Sequence, residues 1–92
     1  MEIKKYSHLN ALEAEMNFIE DYPFASSLLE FVKSVSGQNR WFLDECIENG
    51  ANEYWVTFKS YADPEHRNFL LSIYVAYTDS GWNFSVHKQI TE

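Results

Sequence analysis

Residues 53–61, Glu-Tyr-Trp-Val-Thr-Phe-Lys-Ser-Tyr, and 69–77, Phe-Leu-Leu-Ser-Ile-Tyr-Val-Ala-Tyr, are dense in aromatic and β-branched side chains and are separated by only seven residues. Such side chains suit a pleated, half-buried surface, so both stretches are expected to be strands. The link, Ala62-Asp63-Pro64-Glu65-His66-Arg67-Asn68, is rich in turn formers and too short for a helical crossover, which makes the pair antiparallel. Thr78-Asp79-Ser80-Gly81 turns the chain again into a third strand over 82–90, completing a meander. Alternation assigns the faces. Phe69, Leu71, Ile73 and Val75, with Val56 and Phe58 and with Trp82, Phe84 and Val86, form one apolar face. The opposite face carries Trp55, Thr57, Lys59 and Tyr61, then Leu70, Ser72, Tyr74 and Ala76, then Asn83, Ser85, His87 and Gln89.

An apolar sheet face needs a cover, and the N-terminal third supplies two helices. Leu9, Leu12, Met16 and Ile19 recur at helical spacing over 9–22, with Asn10 and Glu13 as a capping box. Pro23 separates this helix from a second over 23–36, in which Leu28, Val32 and Val35 form a stripe flanked by Phe24 and Phe31, and Gly37 follows as a C-terminal cap. Glu13, Glu15, Glu20, Asp21 and Glu30 fall largely off these stripes and read as a solvated face. The expected fold is α+β: two N-terminal helices packed on one face of a three- or four-stranded antiparallel β-meander, in a single domain spanning 1–92.

The number of strands depends on 41–50. If Asn49-Gly50 is a two-residue turn, Glu48 pairs with Ala51, Leu43 faces Val56 and Trp41 faces Phe58, which puts apolar residues together on the helix-packed face. The same register puts Glu45 there, opposite Tyr54. The competing reading is a short helix grouping Phe42, Leu43, Cys46 and Ile47, with Gly50 as its cap, and the weak strand propensity of Asp44 and Glu45 supports it. Agreement with the pattern of the next strand favours the hairpin. Both readings bring Asp44, Glu45, Glu48 and Glu53 close to Trp55, with Asp63 and Glu65 as further acids from the following loop.

At 92 residues the chain buries somewhat over ~60% of its unfolded surface, enough for one core. Its 46% hydrophobic content is that of a globule rather than an acidic disordered tail. The longest apolar runs end within a few residues, so no membrane span is expected, and the N-terminus has no apolar stretch of the kind that marks a secretory signal. A single cysteine, Cys46, cannot close an internal disulfide and is expected to be a buried, inert thiol, which agrees with a cytoplasmic protein.

Chemistry is sparse. His8, His66 and His87 are scattered, and none has metal-ligand spacing. Asp63-Pro64-Glu65-His66 holds three potential ligands, but such a composition is ordinary for a turn. The three glycines make no phosphate loop. Neither a cofactor nor a metal is expected, and no catalytic residue can be named; a small enzyme would need carboxylates or Cys46 gathered around His66 or His87.

What remains is surface. A net charge of -7 repels nucleic acid and favours encounter with a basic protein. Trp55, Tyr61 and Tyr74 on an uncovered face, bordered by Asp44, Glu45, Glu48 and Glu53, suit a protein interface with rings as anchors and carboxylates as steering charges. In size, acidity and aromatic sheet the chain resembles the small bacterial immunity proteins that neutralise toxin domains, and acidic phage-encoded inhibitors of defence nucleases. That general likeness implies a non-enzymatic inhibitor whose partner is a basic, nuclease-type toxin, and it carries no residue roles. A homodimeric structural or adaptor domain, pairing through the open face or an edge strand, is the alternative from another class, and the oligomeric state stays open between monomer and homodimer.

Overall fold

The computed structural model describes residues 2–35, 41–60 and 68–91. In chain order the elements are β1 (Glu2–Lys5), α1 (Ala11–Asp21), α2 (Ala25–Val35), β2 (Trp41–Gly50), β3 (Glu53–Ser60), β4 (Asn68–Thr78) and β5 (Gly81–Thr91). The fold is α+β, with both helices against one face of an antiparallel sheet whose strands follow in the order β1-β2-β3-β4-β5. Among the described residues the sheet has five strands rather than the expected three or four, for two reasons. Residues 41–50 form a strand and not a helix, and the N-terminal Glu2–Lys5 pairs with the outer edge of that strand. Tyr6 N–H extends the pairing by donating to the Asp44 carbonyl at 2.8 Å.

The meander follows the alternation in the sequence. Val56 pairs with Ile73 and Phe58 with Leu71; these four and Val75 are buried under the helices. Thr78 faces Gly81 across a two-residue turn, and Gly81 takes φ 103°, a backbone region costly for a side chain with a Cβ.

The β2–β3 hairpin differs from its expected register. Leu43 faces Phe58, Cys46 faces Val56, Glu48 faces Tyr54 and Gly50 faces Glu53, so the chain turns at Ala51-Asn52 rather than Asn49-Gly50. Asn52 supplies the left-handed residue at φ 61°, a conformation asparagine tolerates better than most residues. Register shifts occur between Leu43 and Glu45 and between Glu48 and Gly50. The first is an irregularity at Asp44 that inverts the alternation beyond it. An unbroken strand would bury Glu45 beneath the helices; the irregularity turns Glu45 outward opposite Thr57 and puts the small apolar Cys46 in the core. Burying an unpaired carboxylate costs several kcal/mol or more, by general transfer estimates of roughly 2–7 kcal/mol even for uncharged polar groups, so this arrangement wins over the simpler turn.

The helix cap is as expected and the helix face is not. Asn10 accepts from the Glu13 N–H at 2.9 Å and its amide donates to the Glu13 carboxylate at 2.8 Å, starting α1. The core side of α1 is Ala14 and Phe18, however, whereas Leu12, Met16 and Ile19 are exposed at 67%, 55% and 45%. Phe18 meets the rings of Tyr6, Tyr22 and Phe24 at 5.6, 5.5 and 5.9 Å, and aromatic side chains in such a cluster bury large apolar areas at favourable ring geometry. In α2, Leu28 and Val32 are buried as expected together with Ala25 and the preceding Phe24, while Val35 is exposed; the expected cap at Gly37 lies outside the described residues. Asp21, expected only to be solvated, accepts from the Tyr6 hydroxyl at 2.7 Å and pairs with Lys4 at 3.6 Å, tying β1 to α1.

Candidate functional site

Because the helices cover one face of the sheet, the other is left without a packed element among the described residues. Register puts Ile3 and Lys5 of β1 on that face, beside Glu45 and Ile47 of β2. Trp55, Thr57 and Lys59 of β3 follow, then Ser72 and Tyr74 of β4, then Ser85 and His87 of β5. At its centre the Trp55 ring lies 5.0 Å from Tyr74 and 5.5 Å from His87. Trp55 and Tyr74 are half-buried, their rings tilted 51° to one another, and His87 is exposed.

Five of the seven residues singled out in the sequence share this face. Asp44, Glu45 and Glu53 border it, and Trp55 and Tyr74 lie within it. Glu48 is separated from them, since it faces Tyr54 on the helix-packed side, where its charge adds to burial in raising the Tyr54 hydroxyl pKa. Tyr61 lies outside the described residues, as do Asp63, Glu65 and His66. Alternation also puts His87 on this face, and its ring contact with Trp55 brings it into the site beside the seven residues.

The carboxylates differ in how free they are. Asp44 is largely enclosed, with Lys59 Nζ at 3.6 Å and the Thr57 hydroxyl donating at 3.5 Å, so its charge is spent on holding the irregular end of β2. Glu45 stands across from Lys5 in register. Glu53 accepts from the Tyr74 hydroxyl, whose pKa rises through partial burial first and the carboxylate second. Three acids against Lys5 and Lys59 leave the face only mildly negative, and the greater excess lies on α1, which carries Glu13, Glu15, Glu20 and Asp21 and no base.

Nothing else among the described residues gathers chemistry. Cys46 is fully buried on the helix side, and burial pushes its thiol up to about 11, against the opposing pull of the Tyr22 hydroxyl and Lys4. His87 is on the opposite face, so the two cannot act as nucleophile and base. A groove beside α1, lined by Ser7, Leu9, Phe42, Asp44 and Lys59, has the ion pair just described in its wall. A wider one between the helices and β2 is lined chiefly by apolar side chains, Leu12, Leu29, Val32, Leu43 and Phe58 among them. Among the described residues no group of three or more His, Cys, Asp and Glu could hold a metal ion, and no helix is long and apolar enough to cross a membrane. Comparison with family models, with curated proteins and with solved structures gives no match.

Proposed function

We propose that this protein is a non-enzymatic, cytoplasmic inhibitor, an immunity protein that neutralises a basic nuclease-type toxin by covering its active or substrate-binding surface. The observation that carries this reading is the uncovered sheet face centred on Trp55, Tyr74 and His87. Aromatic rings held rigidly by a sheet lose little freedom on binding, which is what anchors a protein interface. The chain's net charge of -7 supports a basic partner, because opposite net charges raise the encounter rate and the same sign repels competing nucleic acid. Glu45 and Glu53 at the border of the rings would meet basic side chains of the partner at the rim of the contact, while Asp44 serves mainly to shape β2.

The test is protection. A basic nuclease-type toxin domain, sought among the genes neighbouring this one, is co-expressed with the wild-type chain and with Trp55→Ala, and both growth and binding are read. Wild type is expected to restore growth and to bind the toxin as a complex, with Trp55→Ala weakening binding by roughly 2 kcal/mol or more, as anchors of this kind do. Full protection by a Trp55→Ala, Tyr74→Ala double variant, folded by circular dichroism, would remove this face from the account. An inhibitor of a defence nuclease would use the same surface, and nuclease assays with either partner distinguish the two.

A further inference from the structure

We infer that β5 is a homodimerisation edge, pairing antiparallel with β5 of a second copy about a two-fold axis at Val86. The two margins of the sheet are unlike. β1 spans only Glu2–Lys5 and carries two lysines, which are common means of keeping an edge from pairing. β5 spans eleven residues, Gly81–Thr91, in unbroken register with β4 from Thr78–Gly81 to Asn68–Thr91. It has neither a proline nor a register shift. Its outer side therefore presents alternate backbone N–H and C=O groups along roughly 36 Å, at about 3.3 Å per residue.

Charge and packing point to a second copy of this chain rather than to a foreign strand. In a protein with fourteen acids, residues 81–91 contain none, and neither do residues 68–78 of β4. The self-repulsion that opposes association elsewhere on the surface is thus weakest along this margin. Val86 is the midpoint of the strand and lies on the helix-packed face, in register with Ile73, yet it is 39% exposed. The helix cover stops just short of it: Phe24 reaches Trp82 at 5.0 Å and Phe31 reaches Phe84 at 5.3 Å.

Two-fold pairing centred on Val86 sets Val86 against Val86 of the second copy, Ser85 against His87, Phe84 against Lys88 and Trp82 against Ile90. No like charges face each other. The two Val86 side chains would cover one another on the helix side, and the Trp55–Tyr74–His87 faces of the two copies would join into one continuous surface. The pairing does not depend on the identity of any toxin, so its outcome is separable from that of the proposed inhibition.

Sedimentation equilibrium of the full chain across the micromolar range tests it, together with two variants. Wild type is expected to sediment as a dimer and Val86→Lys as a monomer with an unchanged circular dichroism spectrum. Val86→Cys is expected to become a disulfide-linked dimer with oxidised glutathione, whereas Ile3→Cys at the opposite edge and wild type, with Cys46 buried, stay uncrosslinked. If Val86→Lys fails to fold, the cysteine pair decides alone. Monomeric wild type throughout, a dimer that Val86→Lys leaves intact, or crosslinking at position 3 but not 86 would each overturn the inference.

Discussion

The substitution that best separates the two sides of α1 is Phe18→Ala. Fully enclosed among Tyr6, Tyr22 and Phe24, Phe18 should cost about 3–5 kcal/mol when truncated, a large share of the ~5–15 kcal/mol available to a small domain. Leu12→Gln and Met16→Gln, on the exposed side, should each change stability by no more than ~0.5 kcal/mol in urea unfolding. A reversed order would mean that the helix packs by its aliphatic stripe after all. That stripe was the more legible of the two in the sequence, because Leu12, Met16 and Ile19 keep helical spacing, whereas the core side of α1 offers only Ala14 and Phe18. The usable signal was the aromatic set on both sides of Pro23, Tyr22 and Phe24, which needs Phe18 to turn toward it. Cys46 adds a dependence on pH. Its thiol is raised from an ordinary value of 9.0 to about 11 by burial, so below the lower value both folded and unfolded chains hold the proton and nothing is lost. Between the two values the unfolded chain releases it and the folded chain cannot, so stability falls by about 1.4 kcal/mol per pH unit. Tyr6 and Tyr22, also raised chiefly by burial, extend the loss above pH 10.0. Urea midpoints measured on the alkaline side should fall from the ordinary thiol value upward, less steeply in Cys46→Ala.

At the scale of elements, the β2–β3 hairpin turns on where the positive φ falls. Asn52→Ala should cost about 1–2 kcal/mol because alanine resists φ 61°, while Asn52→Gly should be nearly neutral. Gly50→Ala should also be tolerated, since an added Cβ would meet only the Glu53 carboxylate tip at 3.4 Å. An Asn49-Gly50 turn would reverse these two sensitivities, so thermal melts of the three variants check the register directly. The hairpin itself could be read from the sequence, and its strand partners β3, β4 and β5 could be read closely, because each keeps strict alternation on a face buried by the helices. The register of β2 could not, because its irregularity at Asp44 is stabilised by non-local groups, Lys59 and Thr57 on β3 and the Tyr6 N–H beyond β1. β1 was equally hidden: four residues with two lysines have little strand character until β2 offers them an edge. The candidate face inherits this history. Trp55 and Tyr74 came from alternation alone, whereas the inverted end of β2 decided that Glu45 would join them and Glu48 would not.

For the molecule as a whole, the location of charge matters more than its total. α1 ends with Glu20 in its last turn and has no base there, a placement that opposes the helix dipole. Glu20→Lys should therefore stabilise the isolated protein by about 0.3–1 kcal/mol at low ionic strength, an effect that salt screens. It also changes net charge by two, as does any single Glu→Lys substitution. If the proposed partner were attracted only by the overall field of a chain at -7, Glu20→Lys and Glu45→Lys would slow association equally. If contact is made through the face centred on Trp55, Glu45→Lys and Glu53→Lys should slow it more and flatten its dependence on salt, because these carboxylates lie at the rim of the contact and Glu20 lies across the molecule on the helix layer. Stopped-flow association with the toxin, measured for the three variants over a range of ionic strength, separates the cases. Equal slowing by all three would show that the charges act at a distance only, and that the binding surface lies somewhere other than the open sheet.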